Sequence, residues 1–160
     1  MAKWQKDICS CLDRIDFCLL TWLCVGCAEF LVAKRAQMKP LGQVSLVLFI
    51  ILIILSVLDS ITSSTYNSLN QARIDGEETE GAMFVVGLIW LAILMLIIVL
   101  IVARGVVSII IREKIREKRD IEGNVLLDCC CIFWCEHCAI CQEYEEALAI
   151  EEEVAVSQKL

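Results

Sequence analysis

The feature that most constrains this chain is a run of twenty-two residues, 82–103, that contains no charged side chain. At about 1.5 Å per helical residue, such a run is roughly 30 Å long, which matches the hydrocarbon core of a bilayer. Each Leu, Ile or Val in it favours insertion by about 0.3–0.6 kcal/mol. Arg104 follows near enough to the end for its side chain to reach the interface. The run and its mostly apolar continuation predict a transmembrane helix at residues 82–111.

A second apolar run precedes it, at residues 41–61. Its centre, Val44 to Leu58, has Ser45 and Ser56 as its polar interruptions. Pro40 stands at the entrance, where the first turn of a helix tolerates a missing N–H. The two runs are separated by an acidic, polar connector at residues 62–81. We therefore expect two transmembrane helices arranged as a hairpin.

Composition and charge narrow the function classes. Apolar residues make up 59% of the chain, against roughly 45–50% in soluble domains. The net charge of −7 argues against a nucleic-acid partner, because such proteins normally present a basic face. The charged start of the chain is not followed by an apolar core with a cleavage site, so no secretory signal peptide is expected.

The basic residues predict the orientation. Of the fourteen Lys and Arg residues, the connector holds Arg73 and the other thirteen lie outside it. The positive-inside rule then places both termini of this integral membrane protein on the cytosolic side, or its organellar equivalent. All eleven cysteines fall on that reducing side, which favours thiol or thiolate chemistry over a disulfide scaffold.

The cysteines form two clusters at opposite ends of the chain. One lies in the N-terminal segment, residues 1–40, and the other in residues 112–160, which comprise a basic helix, a cysteine-rich motif and an acidic C-terminal helix. We expect a mainly α fold in which the two cysteine-rich segments pack together on one side of the membrane. The basic stretch from Arg112 to Arg119 predicts either a solvated helical face or a contact with anionic lipid headgroups.

Two of the cysteine pairs have the spacing of metal ligands. Cys24-x2-Cys27 and Cys138-x2-Cys141 together could supply four thiolates to a tetrahedral structural zinc site. Zinc is accordingly the one cofactor that the sequence predicts, with two further cysteines as reserve ligands, Cys18 and Cys135. Three alternatives stay open: disulfides at the same positions, lipid attachment at residues 129–131, and burial as small apolar side chains.

The C-terminal motif resembles a known family. Residues 134–144, Trp-Cys-Glu-His-Cys-Ala-Ile-Cys-Gln-Glu-Tyr, resemble the closing signature of the placenta-specific 8 family, and residues 112–116 and 121–129 resemble the approach to it. This cysteine-rich family includes the plant cadmium-resistance and cell-number-regulator proteins. In the N-terminal half, residues 18–24 follow the family pattern, but Val25-Gly26-Cys27 replaces its Pro-Cys.

The resemblance implies a small membrane-associated protein that self-associates, from a family linked to divalent-metal tolerance, calcium flux and control of cell number. The residues themselves show no set of nucleophile, base and orienting group, so we do not expect an enzyme. The function we expect is a non-catalytic structural or regulatory subunit of a membrane assembly. Its partners would be membrane lipids and either further copies or other membrane protein subunits. The alternative is a homo-oligomeric transporter, channel or tolerance factor for calcium, zinc or cadmium.

Overall fold

The described parts of the chain form five helices, and the predicted mainly α class is confirmed. The computed structural model describes Trp4, residues 15–75 and residues 79–158. The helices, in chain order, are α1 Ile15–Leu23, α2 Val25–Arg35, α3 Lys39–Ile74, α4 Glu80–Arg119 and α5 Val125–Ser157.

Helices α3 and α4, of 36 and 40 residues, are both long and apolar enough to cross a membrane. Each extends beyond its predicted span, and α3 continues through most of the predicted connector to Ile74. The helix continues through these polar residues, and several of their hydroxyls donate to carbonyls four residues earlier. Thr62 Oγ1, for example, donates to the Leu58 carbonyl at 2.8 Å, and Thr65 Oγ1 donates to Ile61 at 2.9 Å.

The chain divides into two compact units, which we call the head unit and the apolar unit. The apolar unit is Ile50–Ala103 and carries most of the exposed Leu, Ile and Val side chains. Within it, Trp90 Nε1 donates a hydrogen bond of 2.8 Å to Asp59 Oδ1, and the Trp90 ring lies 5.8 Å from that of Tyr66.

The head unit combines the two ends of the chain, Met1–Phe49 and Arg104–Leu160. Helix α2 packs against α5, and α1 packs against both. Small side chains on α2 allow this close packing. The core comprises Phe17, Ala28, Val32, Ala33, Ala36, Met38, Ile111, Ile115, Ile140, Cys141, Ala147 and Ile150.

Helix α2 approaches α3 at a glycine. A Cβ atom added to Gly26 would lie 2.6 Å from Cβ of Phe49, which belongs to a helix and cannot move away cheaply. We therefore expect Gly26→Ala to destabilise the head unit by about 1–3 kcal/mol, the usual range for overpacking.

Thermal unfolding in detergent, followed by circular dichroism, would measure this effect. The matched control is Gly81→Ala in α4, because nothing lies within 4 Å of a Cβ atom there. The control should be neutral or stabilising by up to about 1 kcal/mol, since alanine has the higher helix propensity. Equal effects of the two substitutions would contradict the close approach of α2 and α3.

A tight turn reverses the chain between α4 and α5. Asp120 adopts a left-handed conformation with φ of 52°, and the Ile121 amide donates to the Arg116 carbonyl at 3.0 Å, as in a Schellman motif. The Asn124 side chain then accepts a hydrogen bond from the Leu126 amide and caps α5. A second change of direction occurs inside α5, where Cys135 has non-helical dihedral angles.

Candidate functional site

The first polar cluster of the head unit surrounds Glu29 of α2, whose side chain is only 2% exposed. Its carboxylate accepts hydrogen bonds from Ser45 of α3 and Ser108 of α4. Arg104 Nη2 lies 3.2 Å from Glu29 Oε2 and 2.5 Å from Glu136 Oε1 of α5. Four helices therefore meet at one buried arginine shared by two carboxylates.

This arrangement restricts what the cluster can do chemically. A carboxylate buried away from water is costly unless it is paired and hydrogen-bonded, and Glu29 has both kinds of partner. The Arg104 guanidinium bridges Glu29 and Glu136 and also lies 5.9 Å from the Phe49 ring. A fixed positive charge thus occupies the position between the two carboxylates where a bound cation would otherwise sit.

The second polar cluster surrounds Arg112, which is 3% exposed. Its Nε donates to Asp128 at 2.8 Å, its Nη2 to Gln142 at 2.8 Å and its Nη1 to Glu143 at 3.2 Å. Its guanidinium also lies 4.2 Å from the centre of the Trp4 ring. This planar cation therefore links α4 to both halves of α5 and holds Trp4 against them.

Further ion pairs continue along the same face of α4. Arg116 Nε lies 3.2 Å from Asp128 Oδ2, and Arg119 pairs with Glu146 at 3.0 Å and also with Glu153. Arginines at 112, 116 and 119 share one helical face because they are separated by four and three residues. That face meets the acidic residues of α5 rather than water.

Burial changes the titration of one carboxyl in this set. It raises the pKa of Glu143 from 4.5 to about 8, opposed by Arg112 and reinforced by Glu29 and Asp128. At neutral pH the Glu143 carboxyl is therefore mostly protonated, and its carbonyl oxygen still accepts from Arg112. Asp128 is then the carboxylate that balances Arg112.

The raised pKa predicts how stability depends on pH. Below pH 4.5 the Glu143 carboxyl is protonated in both the folded and the unfolded protein. Its contribution to the free energy of unfolding is therefore greatest there. As pH rises to about 8, the unfolded chain releases this proton and the folded protein retains it, so the free energy of unfolding falls. We expect Glu143→Gln to flatten the decline between pH 5 and 8, because glutamine does not titrate.

Unfolding midpoints measured across this pH range would test the prediction. Glu145→Gln is the matched control, since Glu145 lies two residues from Glu143 on the same helix but is only partly buried. A pH profile of Glu143→Gln identical to that of the unmodified protein would show that Glu143 titrates as an ordinary acid.

The predicted zinc ligands lie in three parts of the head unit. Cys18 is half-buried in α1, and Cys24 and Cys27 form the first turn of α2. In α5, Cys135 is exposed at the kink, Cys138 is half-buried and Cys141 is buried. Stacked rings join α1 to α5, with Phe17 on Tyr144 at 3.7 Å and Trp22 on His137 at 4.6 Å.

The expected zinc ligand set is not assembled among these residues. Cys24 and Cys27 are joined by a disulfide, contrary to the expectation of thiolates there. Their helical spacing places the Cα atoms 5.3 Å apart, within the range that a disulfide spans. Across the described parts of the chain, no group of three or more His, Cys, Asp or Glu side chains is placed to bind a metal. The zinc site stays a prediction without support from this geometry.

The basic stretch agrees with the solvated-face interpretation on one face of α4 and departs from it on the other. Arg112 and Arg116 are neither solvated nor available to lipid headgroups, because both are buried in ion pairs with α5. Glu113 and Lys114 are exposed, as the solvated-face interpretation of the alternating charges predicts.

The roles of Glu29 and Arg104 in this site were not predicted from the sequence. Glu29 carried a usable signal, as the one acidic residue between positions 17 and 58. Arg104 was expected to reach towards the interface, whereas it is 12% exposed and pairs inside the head unit.

Comparison with known proteins gives the family. The model of the PLAC8 family matches residues 4–146, which cover most of the chain. The chain belongs to the PLAC8 family. One maize protein, "Cell number regulator 11", is 43% identical over 35 residues, which are 22% of this chain and 22% of that relative. The matched part thus spans less than a quarter of the length of that maize protein. No solved structure matches the chain.

Proposed function

We propose that this PLAC8-family protein is a two-span integral membrane protein that acts as a non-catalytic structural or regulatory subunit of a membrane assembly. Its head unit and both termini lie on the cytosolic side, a placement that the basic residues favour and that the Cys24–Cys27 disulfide opposes, because disulfides are rare in the cytosol. The placement of thirteen of its fourteen basic residues outside the connector supports this orientation. The name of the maize relative, a cell number regulator, is consistent with a regulatory rather than a catalytic role.

The observation that carries the non-catalytic role is the pairing of the buried acids. The buried carboxyl groups of the described head unit each lie within ion-pair distance of an arginine: Glu29, Asp128, Glu143 and Glu146. A transporter normally keeps acids available to its ion along the path. Here the guanidinium groups hold those acids in fixed geometry, as suits a rigid scaffold.

The apolar helices supply a surface for assembly. Phe84, Val85 and Leu91 of α4 are each more than half exposed. A Cβ atom on Gly105 would have nothing within 4 Å. Small residues of this kind allow helices from neighbouring chains to approach closely within a bilayer. We infer that α4 contacts lipid and also a second copy or another membrane subunit.

Flux through purified protein in liposomes would test the proposal against the cation-transport alternative. Vesicles loaded with fluorescent indicators for Ca²⁺, Zn²⁺ and Cd²⁺ should report the same rates with and without the protein. Asp59→Asn is the informative variant, because Asp59 is the acid within the predicted spans. A flux above that of empty vesicles that Asp59→Asn abolishes would overturn the subunit role and favour the transporter.

Labelling of intact cells would test the orientation separately. With all native cysteines on the cytosolic side, a membrane-impermeant thiol reagent should not label the unmodified protein from outside. In single-cysteine variants, Ser68→Cys in the connector should become labelled from outside, and Ser157→Cys near the C-terminus should be labelled only after permeabilisation. Labelling of both variants from outside would contradict the arrangement.

A further inference from the structure

Several apolar side chains of the head unit are more than half exposed, among them Ile15, Leu19, Leu126 and four large ones beside the two cysteine clusters. One of these four, Trp22, also stacks on the His137 ring. Trp22 and Leu23 at the end of α1 are 70% and 84% exposed, and Phe133 and Trp134 of α5 are 83% and 85% exposed. We call these four residues the apolar patch. Side chains of this size are rarely so exposed to water in a group, and such a group marks a surface that contacts something apolar.

The N-terminal part of the patch lies at a defined end of the head unit. Helix α2 runs beside α3, with Gly26 at Phe49 and Glu29 at Ser45. The start of α2 is therefore nearest to the point where the apolar run of α3 leaves the head unit. Trp22 and Leu23 directly precede the turn at Cys24 into α2, so they lie at this same end.

The contacts between α5 and α4 place the C-terminal part of the patch at the same end of the head unit. In α5, Asp128 contacts Arg112, Glu136 contacts Arg104, and Glu143 returns to Arg112. The first half of α5 thus runs along α4 towards Arg104, and the second half runs back from the kink at Cys135. Phe133 and Trp134 stand just before that kink. Arg104 itself directly follows the uncharged run 82–103.

The helices that enter this end present apolar side chains as well. Val44 and Val47 flank Ser45 on α3, and Val106 lies between Arg104 and Ser108 on α4; all three are about half exposed. The apolar patch therefore lies at the same end of the head unit as exposed apolar surfaces of α3 and α4. Tryptophan is also the residue favoured where hydrocarbon meets headgroups.

We propose that the apolar patch docks into the adjoining leaflet of the bilayer, with Trp22 and Trp134 at the boundary between acyl chains and headgroups. The occupant of this face is lipid, and the proposal rests on the proposed membrane insertion. The end of α1 and the part of α5 just before the kink at Cys135 are then embedded in the bilayer, and they fix the head unit against its surface. The Arg104 cluster lies beneath them, shielded from water by lipid on one side and by the core on the other.

The four tryptophans of this chain provide the test and its controls. Single-tryptophan variants, with the other three replaced by phenylalanine, are reconstituted in vesicles of phosphatidylcholine brominated near the start of its acyl chains. Trp134 and Trp22 should lose fluorescence to a similar extent as Trp90, which lies inside the second predicted span. Trp4, held over Arg112 two helical turns beyond Arg104 and roughly 12 Å further along α4, should keep its fluorescence and serve as the control.

The outcomes distinguish the docking of the apolar patch from the membrane insertion on which it rests. Quenching of Trp90 without quenching of Trp22 and Trp134, together with their quenching by aqueous acrylamide, would overturn the docking and leave the membrane insertion intact. Trp22 and Trp134 that resist both quenchers in native membranes but not in pure vesicles would show that a protein partner covers the patch, which also overturns the docking. An unquenched Trp90 would contradict the membrane insertion itself, and the docking with it.

Discussion

Arg112→Met should destabilise the head unit by about 3 kcal/mol, near the lower end of the range for breaking a buried ion pair. The substitution keeps much of the side-chain volume but removes the charge and the donors that reach Asp128, Gln142 and Glu143. Asp128 retains Arg116, and Glu143 can remain protonated, which limits the loss.

Unfolding of the purified protein in mild detergent, followed by near-ultraviolet circular dichroism, would report this loss through the packed aromatic rings. Lys114→Met is the matched control, because Lys114 lies on the same helix and is exposed. Arg112→Lys should fall between the two, since lysine keeps the charge but cannot reproduce the forked hydrogen bonds. If Arg112→Met is as stable as Lys114→Met, the cluster contributes nothing to the head unit.

Arg104→Leu should be at least as damaging, at about 3–5 kcal/mol, because it leaves Glu29 buried without a cationic partner. Adding Glu29→Gln should recover much of that loss, since glutamine removes the uncompensated charge, and its carbonyl oxygen can accept from Ser45 while its NH2 group donates to the Ser108 hydroxyl. The single variant Glu29→Gln should cost less than Arg104→Leu, because Arg104 keeps Glu136.

This double-mutant cycle distinguishes a specific pair from general packing. Coupling between positions 29 and 104 of the expected sign would confirm that the pair acts as a unit. Simple addition of the two single effects would show that Arg104 stabilises the protein through its apolar stem instead.

Some of the fold could be predicted because its signals are local. Apolar runs at residues 41–61 and 82–103 predicted helices, and both lie inside longer helices, α3 and α4. The break between α4, which ends at Arg119, and α5, which starts at Val125, contains Gly123 and Asn124, two residue types that are common in turns. The family resemblance, based on residues 134–144, is confirmed over residues 4–146.

The arrangement of the polar clusters could not be predicted, because it depends on contacts between distant parts of the chain. Alternating charges at 112–119 look the same in sequence whether they face water or the acids of α5. The exposed or buried state of each arginine is decided by the turn at Asp120 and the kink at Cys135, which bring α5 back along α4. Cysteine spacing is ambiguous for a related reason, since Cys24-x2-Cys27 suits a metal and a disulfide equally well.

The central claim, that this PLAC8-family protein works as a subunit within a membrane assembly, is tested most directly by its native mass. Native mass spectrometry of particles extracted from membranes with their surrounding lipid gives the stoichiometry and any bound metal in one measurement. The account predicts particles well above the 18.0 kDa of one chain, containing further copies or another membrane protein. A particle holding a single 18.0 kDa chain, which by itself moves divalent cations across liposomes, would contradict it.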